Sequence, residues 1–150
     1  MNRQIPFRIV GLYVESFNLT DICLKEDIPV EVRTNYEFGV IPEDHMVMAR
    51  LTYAYLQEEA ELLQITLVST FDVKPKEFQT MLQGNTFTIE PFFSQYLSTI
   101  NVGAARGEIH ARCEQAGSKL ASIILPPINL IDALPKPIII EPVSYTHLRS

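Results

Sequence analysis

Residues 30–40, VEVRTNYEFGV, alternate apolar and polar side chains over most of their length. The apolar set is Val30, Val32, Tyr36 and Phe38, and the opposing polar set is Glu31, Arg33, Asn35 and Glu37. Successive side chains of a β-strand point to opposite faces of its sheet. The pattern therefore predicts a half-buried strand with one face in water.

The same reasoning predicts three further strands. Residues 7–19 are apolar on both parities, so that strand needs cover on both faces, from helices or from a second subunit. Residues 46–56 and 61–71 are β-rich and joined by a short polar link without Gly or Asn, which predicts an antiparallel hairpin of undefined turn type. Residues 53–64 also contain good helix formers, so a helix there is the alternative. The simplest sheet is a four-stranded antiparallel meander.

Helical patterns begin after residue 73. A short helix is predicted to start at Pro75 and to stop before Gly84. Apolar residues then recur at helical spacing from about Glu90 to Gly117, which predicts one long helix. Gly103 inside this pattern costs about 1 kcal/mol relative to Ala, so a kink or close helix packing is expected there.

The C-terminal part is interpreted as an apolar linker and a short helix. Pro126 and Pro127 exclude a helix interior, so residues 125–130 are predicted to be extended. A last helix ends by Leu134, and residues 138–140 add a strand or pack as a tail. The predicted fold class is α+β, a four-stranded antiparallel sheet with a long helix and a short C-terminal helix packed on one face. Residues 1–143 are assigned to one domain and residues 144–150 to a tail or a cloning scar.

Composition limits the classes of function. Hydrophobic residues make up 47% and charged residues 20%, which is typical of a globular domain. A net charge of −6 argues against nucleic acid as a partner, because phosphate binding needs clustered Lys and Arg. No apolar run is long enough for membrane insertion, and residues 1–6 lack the apolar core of an export signal, so a cytoplasmic location is expected. Cys23 and Cys113 fit free thiols in a reducing compartment, with a redox or metal role as the alternative.

The sequence contains no enzyme signature. His45, His110 and His147 have no neighbours at metal-ligand spacing, and His110 and Asp132 lack a serine in a nucleophile elbow. The six glycines form no phosphate-binding loop. We therefore expect no catalytic residue, no metal site and no cofactor.

Charged clusters are interpreted as solvated surface. Glu58, Glu59 and Glu61 are expected at a hairpin end. Glu108 and Arg112 have the order and spacing of a stabilising i,i+4 pair, on an outer helix face or a subunit interface.

Apolar residues between positions 123 and 131 exceed what one small sheet buries easily. Exposed apolar patches mark interaction sites, and prolines lower the entropy cost of holding such a segment in place. The alternative is that this segment is an irregular cover of the core, and the pattern favours neither interpretation.

The segment from Tyr96 to Leu134 resembles the C-terminal half of SecB, the bacterial export chaperone. The resemblance is carried by NVGAARG at residues 101–107 and LPPINLIDAL at residues 125–134. FRIVGLY at residues 7–13 and IPVEV at residues 28–32 resemble the first two strands of that family. The likeness therefore extends over about residues 5–134.

The resemblance implies an ATP-independent chaperone that holds unfolded client polypeptides or preproteins in apolar grooves. It also implies a homotetramer, a dimer of dimers with the long helices between the sheets. The implied groove residues are Leu125, Ile128, Leu130, Ile131 and Leu134, with Tyr53 and Tyr55 beneath them. The implied tetramer contacts are Tyr96, Ile100, Arg106 and Ile109.

Docking to the SecA export motor is left open by this likeness. Family members that deliver cargo to SecA use acidic residues on the first strand and the exposed sheet, whereas Ser16 and Ile65 occupy the matching positions here. The candidate substitutes are Glu15, Glu58, Glu59 and Glu61. The alternatives are a solitary SecB-like chaperone, such as one serving a toxin–antitoxin pair, and a small-molecule binder with a cavity between sheet and helix. Residues 73–88 are longer than the link in the family.

Overall fold

The computed structural model describes residues 7–20, 24–122 and 128–141, together with the backbone of residues 147–149. Its main sheet contains the four predicted strands: β1 (Phe7–Leu19), β2 (Glu31–Ile41), β3 (Met46–Gln57) and β4 (Ala60–Val73). Each neighbouring pair is antiparallel. The predicted four-stranded antiparallel sheet is confirmed, and the alternative of a helix over residues 53–64 is wrong.

Helices and short strands follow the main sheet. They are α1 (Pro75–Met81), β5 (Leu82–Gln83), β6 (Thr86–Ile89), α2 (Pro91–Gln115), α3 (Leu130–Ala133), β7 (Ile138–Ile140) and β8 (His147–Arg149). The predicted α+β class, with one long and one short C-terminal helix, is confirmed. Strands β5, β6 and β7 form a second sheet, which the sequence did not predict.

The predicted meander is wrong at one connection. The strand order of the main sheet is β1-β4-β3-β2-β8, so β1 pairs with β4 and not with β2. The physical reason is length: β4 has 14 residues and β1 has 13, and they pair from Phe7 opposite Val73 to Leu19 opposite Leu63. This order leaves β1 at an edge of the sheet.

Helix α2 packs on one face of the main sheet and divides the core into two clusters. Around its first half, Phe93 and Leu97 pack with Phe38, Val40, Val47 and Phe71. Around its second half, Val102, Ala105, Ile109 and Cys113 pack with Leu51, Tyr53, Tyr55, Leu63 and Ile65. Cys113 is therefore buried in the second cluster, packed as a small apolar group as the sequence predicts, and Cys23 lies outside the described residues.

The segment from α1 to β6 closes one end of the first cluster. Phe78 of α1 and Phe87 of β6 are fully buried, with ring centroids 4.8 Å apart. Strand β7 pairs with β6, placing Ile140 opposite Phe87. Residues 73–88, which are longer than the link in the SecB family and include the predicted short helix, thus cap the core.

The sequence predicted a helix stop at two glycines and a kink or close helix packing at a third, and the structure confirms one helix stop. Gly117 has φ +67 just after α2, and Ser118 N donates to Cys113 O at 2.9 Å, which is the predicted helix stop. Gly84 has φ +57 in the β5–β6 turn, so it does not end α1, which stops at Met81. A Cβ at Gly103 would meet no atom within 4 Å, so the expected close packing there is absent among the described residues.

Candidate functional site

The first of two open clefts has a volume of about 690 Å³ and reaches Val30, the residue that directly precedes β2. It lies between residues 24–30, the C-terminal end of α2 and a 3₁₀ turn at Lys119–Ser122. Its apolar lining consists of Leu24, Ile28, Val30 and Ala121. Its charged lining consists of Lys25, Glu26, His110, Glu114 and Lys119. The cleft thus combines apolar walls with charges of both signs.

Ionic and polar contacts hold the two sides of this cleft. Lys119 Nζ lies 3.3 Å from Glu26 Oε1 across it. On the helix side, His110 Nε2 lies 3.4 Å from Glu114 Oε2, and its Nδ1 is within 3.2 Å of Ala121 O. These groups are mostly exposed, so each pair stabilises the fold little, about 0–1 kcal/mol. Their arrangement keeps charge close to the apolar lining.

A second open cleft, of about 300 Å³, lies further along β2. It is bounded by Thr34, Asn35 and Tyr36 on the strand and by residues 133–138 opposite. Val30 lines the first cleft and Thr34 lines the second, and four residues of extended chain span about 13 Å. The two clefts therefore follow one another along β2 at a distance that a few extended residues can bridge.

Helix α3 is fixed beside the second cleft. Asn129 is its N-cap, and the Oδ1 atom accepts from Ile131 N at 3.1 Å and Asp132 N at 3.4 Å. At the other end, Gln95 Nε2 donates to Leu134 O at 2.9 Å and ties the helix to α2. The short helix is thus held at both ends.

The predicted groove residues differ in accessibility. Ile131 is 69% exposed, whereas Leu134 is buried in the first core cluster. Ile128 and Leu130 are half-buried, against the second and first clusters respectively. Leu125 lies outside the described residues. Ile131 is therefore the most exposed member of this set among the described residues, whereas Leu134 is the member that lines the second cleft.

Tyr53 and Tyr55 do not line an open groove in this conformation. Both side chains are fully buried between β3 and α2, and none of the described residues gives their hydroxyls a hydrogen-bond partner. Burial raises the pKa of Tyr55 to about 12, and it raises the pKa of Tyr53 further. The Arg106 guanidinium opposes both shifts.

The predicted tetramer contacts are likewise mixed. Tyr96 is exposed and packs edge-on against Phe7, with ring centroids 5.2 Å apart. Ile100 and Arg106 are half-buried, and Ile109 is in the core. Of the four, Tyr96 has the largest surface free for another subunit.

Strand β1, for which the sequence predicts cover by helices or by a second subunit, carries four of the eight exposed large apolar side chains among the described residues. Ile9, Val10, Leu12 and Tyr13 of β1 each expose more than two fifths of their surface. Apolar residues on both parities of this strand predict two apolar faces, but only the edge position of β1 shows that they are uncovered. An open cleft of about 320 Å³ joins this strand to α2; its lining includes Leu12, Tyr13, Gly103, Gly107 and Ala111.

Three of the four candidate motor-docking acids are paired within the chain. Glu15 lies 3.3 Å from Arg50, Glu58 lies 4.0 Å from Lys25, and Glu59 lies 2.7 Å from Arg33. Glu61 is exposed. The expected i,i+4 pair on α2 is confirmed, with Arg112 Nε 3.0 Å from Glu108 Oε2.

Comparison with models of protein families found no match, and comparison with curated proteins found none either. The site must therefore be interpreted from its own geometry. Across the described ranges, no helix has the length and apolarity needed to cross a membrane. The same ranges bring together no three His, Cys, Asp or Glu side chains suited to a metal ion.

Proposed function

We propose that this protein is an ATP-independent holdase that binds unfolded polypeptides, its clients, along the cleft side of β2, and that it works in the cytoplasm as a homo-oligomer. The observation that carries the proposal is the succession of two open, partly apolar clefts along one strand, with the exposed Ile131 on the adjoining helix α3. The likeness to SecB in the sequence supports the same function.

The chemistry of the first cleft suits clients of varied sequence. Apolar contact is non-directional, so Leu24, Ile28 and Val30 can accept different apolar side chains. The surrounding charges of both signs can face either kind of charged residue in a client. A site with these properties selects for apolar content in an extended chain and not for one ligand shape. Both clefts are open, which favours this function over a small-molecule binder with an enclosed cavity.

The β1 edge supports the proposal of a homo-oligomer. An edge strand with exposed apolar side chains is a template for pairing, and monomers rarely leave such a patch in water. Beside it, Gly103 and Gly107 lower the surface of α2 and leave the cleft next to Leu12 and Tyr13. A second copy that brings its own β1 and α2 would bury both features. The homotetramer itself is taken from the likeness to SecB.

Delivery of clients to SecA is the least supported part of the proposal. A basic partner that docks on Glu15 or Glu59 must compete with Arg50 or Arg33. Exposed ion pairs contribute only about 0–1 kcal/mol each, so this competition weakens docking without excluding it. Holding of clients needs none of these acids.

The proposal is tested by client affinity in two matched variants. Ile131→Ser removes the exposed apolar side chain beside the second cleft, whereas Ile139→Ser removes one that is 57% exposed on β7. With a labelled, permanently unfolded protein as client, we expect Ile131→Ser to raise the Kd about threefold to tenfold and Ile139→Ser to leave it unchanged. Equal effects of the two variants, or no measurable binding by the unaltered protein, would contradict the proposal.

A further inference from the structure

The turn between β3 and β4 is strained and lies next to the first cleft. Glu58 and Glu59, its two central residues, have φ +50 and +68, a type I′ geometry that usually takes Asn-Gly. Side chains with a Cβ rarely adopt this conformation, and it persists where surrounding contacts hold it. The contacts of Glu58 and Glu59 therefore show what holds the turn in this conformation.

Both glutamates face the segment that forms one wall of the cleft and enters β2. Glu58 pairs with Lys25, which lines the cleft, and Glu59 pairs with Arg33 at the start of β2. Arg33 Nε also lies 3.1 Å from Glu31 Oε1. Hydrogen bonds with Glu31 and Glu59 raise the pKa of Arg33. Ion pairs thus connect the β3–β4 turn to the segment that forms the cleft wall and enters β2.

Gln57, the residue before the turn, connects β3 to the same segment by three hydrogen bonds. It is only 4% exposed, and its Oε1 accepts from Lys25 N at 2.8 Å. Its Nε2 donates to Lys25 O and to Ile28 O, both at 2.7 Å. A primary amide can accept and donate twice at once, so this geometry uses what is specific to Asn or Gln. The buried amide fixes the backbone at positions 25 and 28.

We propose that Gln57 is the positioning residue of the client-binding cleft. By fixing residues 25–28, it directs Leu24, Ile28 and Val30 into the cleft as an apolar wall. The strained turn is retained because it carries β3 to the point where the Gln57 amide meets this segment. The inference rests on the proposed client binding and adds to it the residue that shapes the site.

Substitution of Gln57 tests this role. In Gln57→Ala, we expect the client Kd to rise at least tenfold and the Lys25 amide to lose hydrogen-exchange protection, while far-ultraviolet circular dichroism and oligomer mass stay unchanged. The client is again a labelled, permanently unfolded protein, and the full-length oligomer is used. The matched control is Gln64→Ala, which removes an amide that hydrogen-bonds Ser16 and Asn18 on the polar face of the sheet, and we expect it to keep both affinity and protection.

The variant Gln57→Glu should have a client affinity that depends on pH, which a general loss of stability would not produce. A carboxylate cannot donate to Lys25 O and Ile28 O, whereas a protonated carboxyl can donate to one of them. The client affinity of this variant relative to the unaltered protein should therefore recover as the pH falls from 7 to 5. The charged groups around the amide and cleft are the same in both proteins: Lys25, Glu26, Glu58, His110, Glu114 and Lys119.

The outcomes separate the two proposals. If the unaltered protein binds no client, the holdase function fails and the role of Gln57 falls with it. If it binds, but Gln57→Ala loses Lys25 protection and keeps its Kd within twofold, only the positioning role is overturned. Retained protection of Lys25 in Gln57→Ala would also overturn it. If Gln57→Ala does not fold, the pH profile of Gln57→Glu decides, and a profile parallel to that of the unaltered protein rejects the role.

Discussion

At the scale of single residues, the β3–β4 turn makes a prediction about stability. Each residue with a Cβ in the left-handed region costs about 1–2 kcal/mol, and Glu58 and Glu59 both lie there. Replacing them by Asn and Gly removes this strain and loses two exposed ion pairs, which stabilise the fold little in water. We expect the double variant to raise the free energy of unfolding by about 1–2 kcal/mol in urea titrations. An unchanged or lower value would show that the ion pairs dominate over the strain.

The buried tyrosines make a prediction about pH. Burial raises the pKa of Tyr55 from its ordinary value of 10.0 to about 12. Between these values the unfolded chain loses the phenol proton and the folded protein keeps it, so stability from this group is complete below pH 10 and is lost as the pH rises toward 12. We expect Tyr55→Phe to lose less unfolding free energy than the unaltered protein between pH 9.5 and 11.5. Parallel losses in urea titrations would contradict the assigned burial.

Some residues of the site could not be found from sequence for a physical reason. Gln57 stands in the polar link Gln57-Glu58-Glu59, and composition does not distinguish a buried amide from its solvated neighbours. Ile128, Leu130 and Ile131 lie close together in sequence, but a helix of four residues has too few turns for periodicity to show that only Ile131 of the three is exposed. The accessible member became evident only from packing.

At the scale of elements, the strands and helices themselves were predictable. Period-two alternation identified β2, runs of apolar and β-forming residues identified β1, β3 and β4, and the helical spacing after Glu90 identified α2. The pairing of β1 with β4 was not predictable, because alternation determines which side chains share a face and not which strand lies alongside. Strands β5 and β6 are too short to carry a pattern of their own, whereas residues 138–140, predicted to be a strand or a tail, form β7.

The edge position of β1 makes a prediction about assembly. Leu12 is 47% exposed and lines the cleft between β1 and α2, so a second copy placed there would bury it. Leu12→Lys should introduce an unpaired charge into that contact and raise the subunit dissociation constant at least a hundredfold. The control is Asn18→Lys, at an exposed polar position of the same strand, which should leave the oligomer intact.

Light scattering with sedimentation velocity measures this effect directly. The assignment of the β1 edge to assembly would be wrong if Leu12→Lys kept the mass of the unaltered protein at all concentrations. A monomeric unaltered protein would contradict the proposed homo-oligomer as a whole.

At the scale of the whole molecule, the surfaces differ in chemistry. The sheet face opposite α2 is polar: Arg50 reaches both Glu15 and Glu37 across it, and Thr52 and Thr66 hydroxyls lie 3.1 Å apart. The helix side carries the two clefts, and the β1 edge carries exposed apolar side chains. Client binding and assembly are thus assigned to separate surfaces, so variants can affect one and leave the other intact.

The central claim is that this protein holds unfolded chains, and suppression of aggregation tests it most directly. A client is diluted from denaturant without ATP, and light scattering is followed with increasing amounts of the protein. We expect scattering to be largely suppressed at one oligomer per client chain, and Ile131→Ser to require more protein than Ile139→Ser for the same effect. Scattering that stays at the level of the client alone, with a correctly folded oligomer present, would contradict the account.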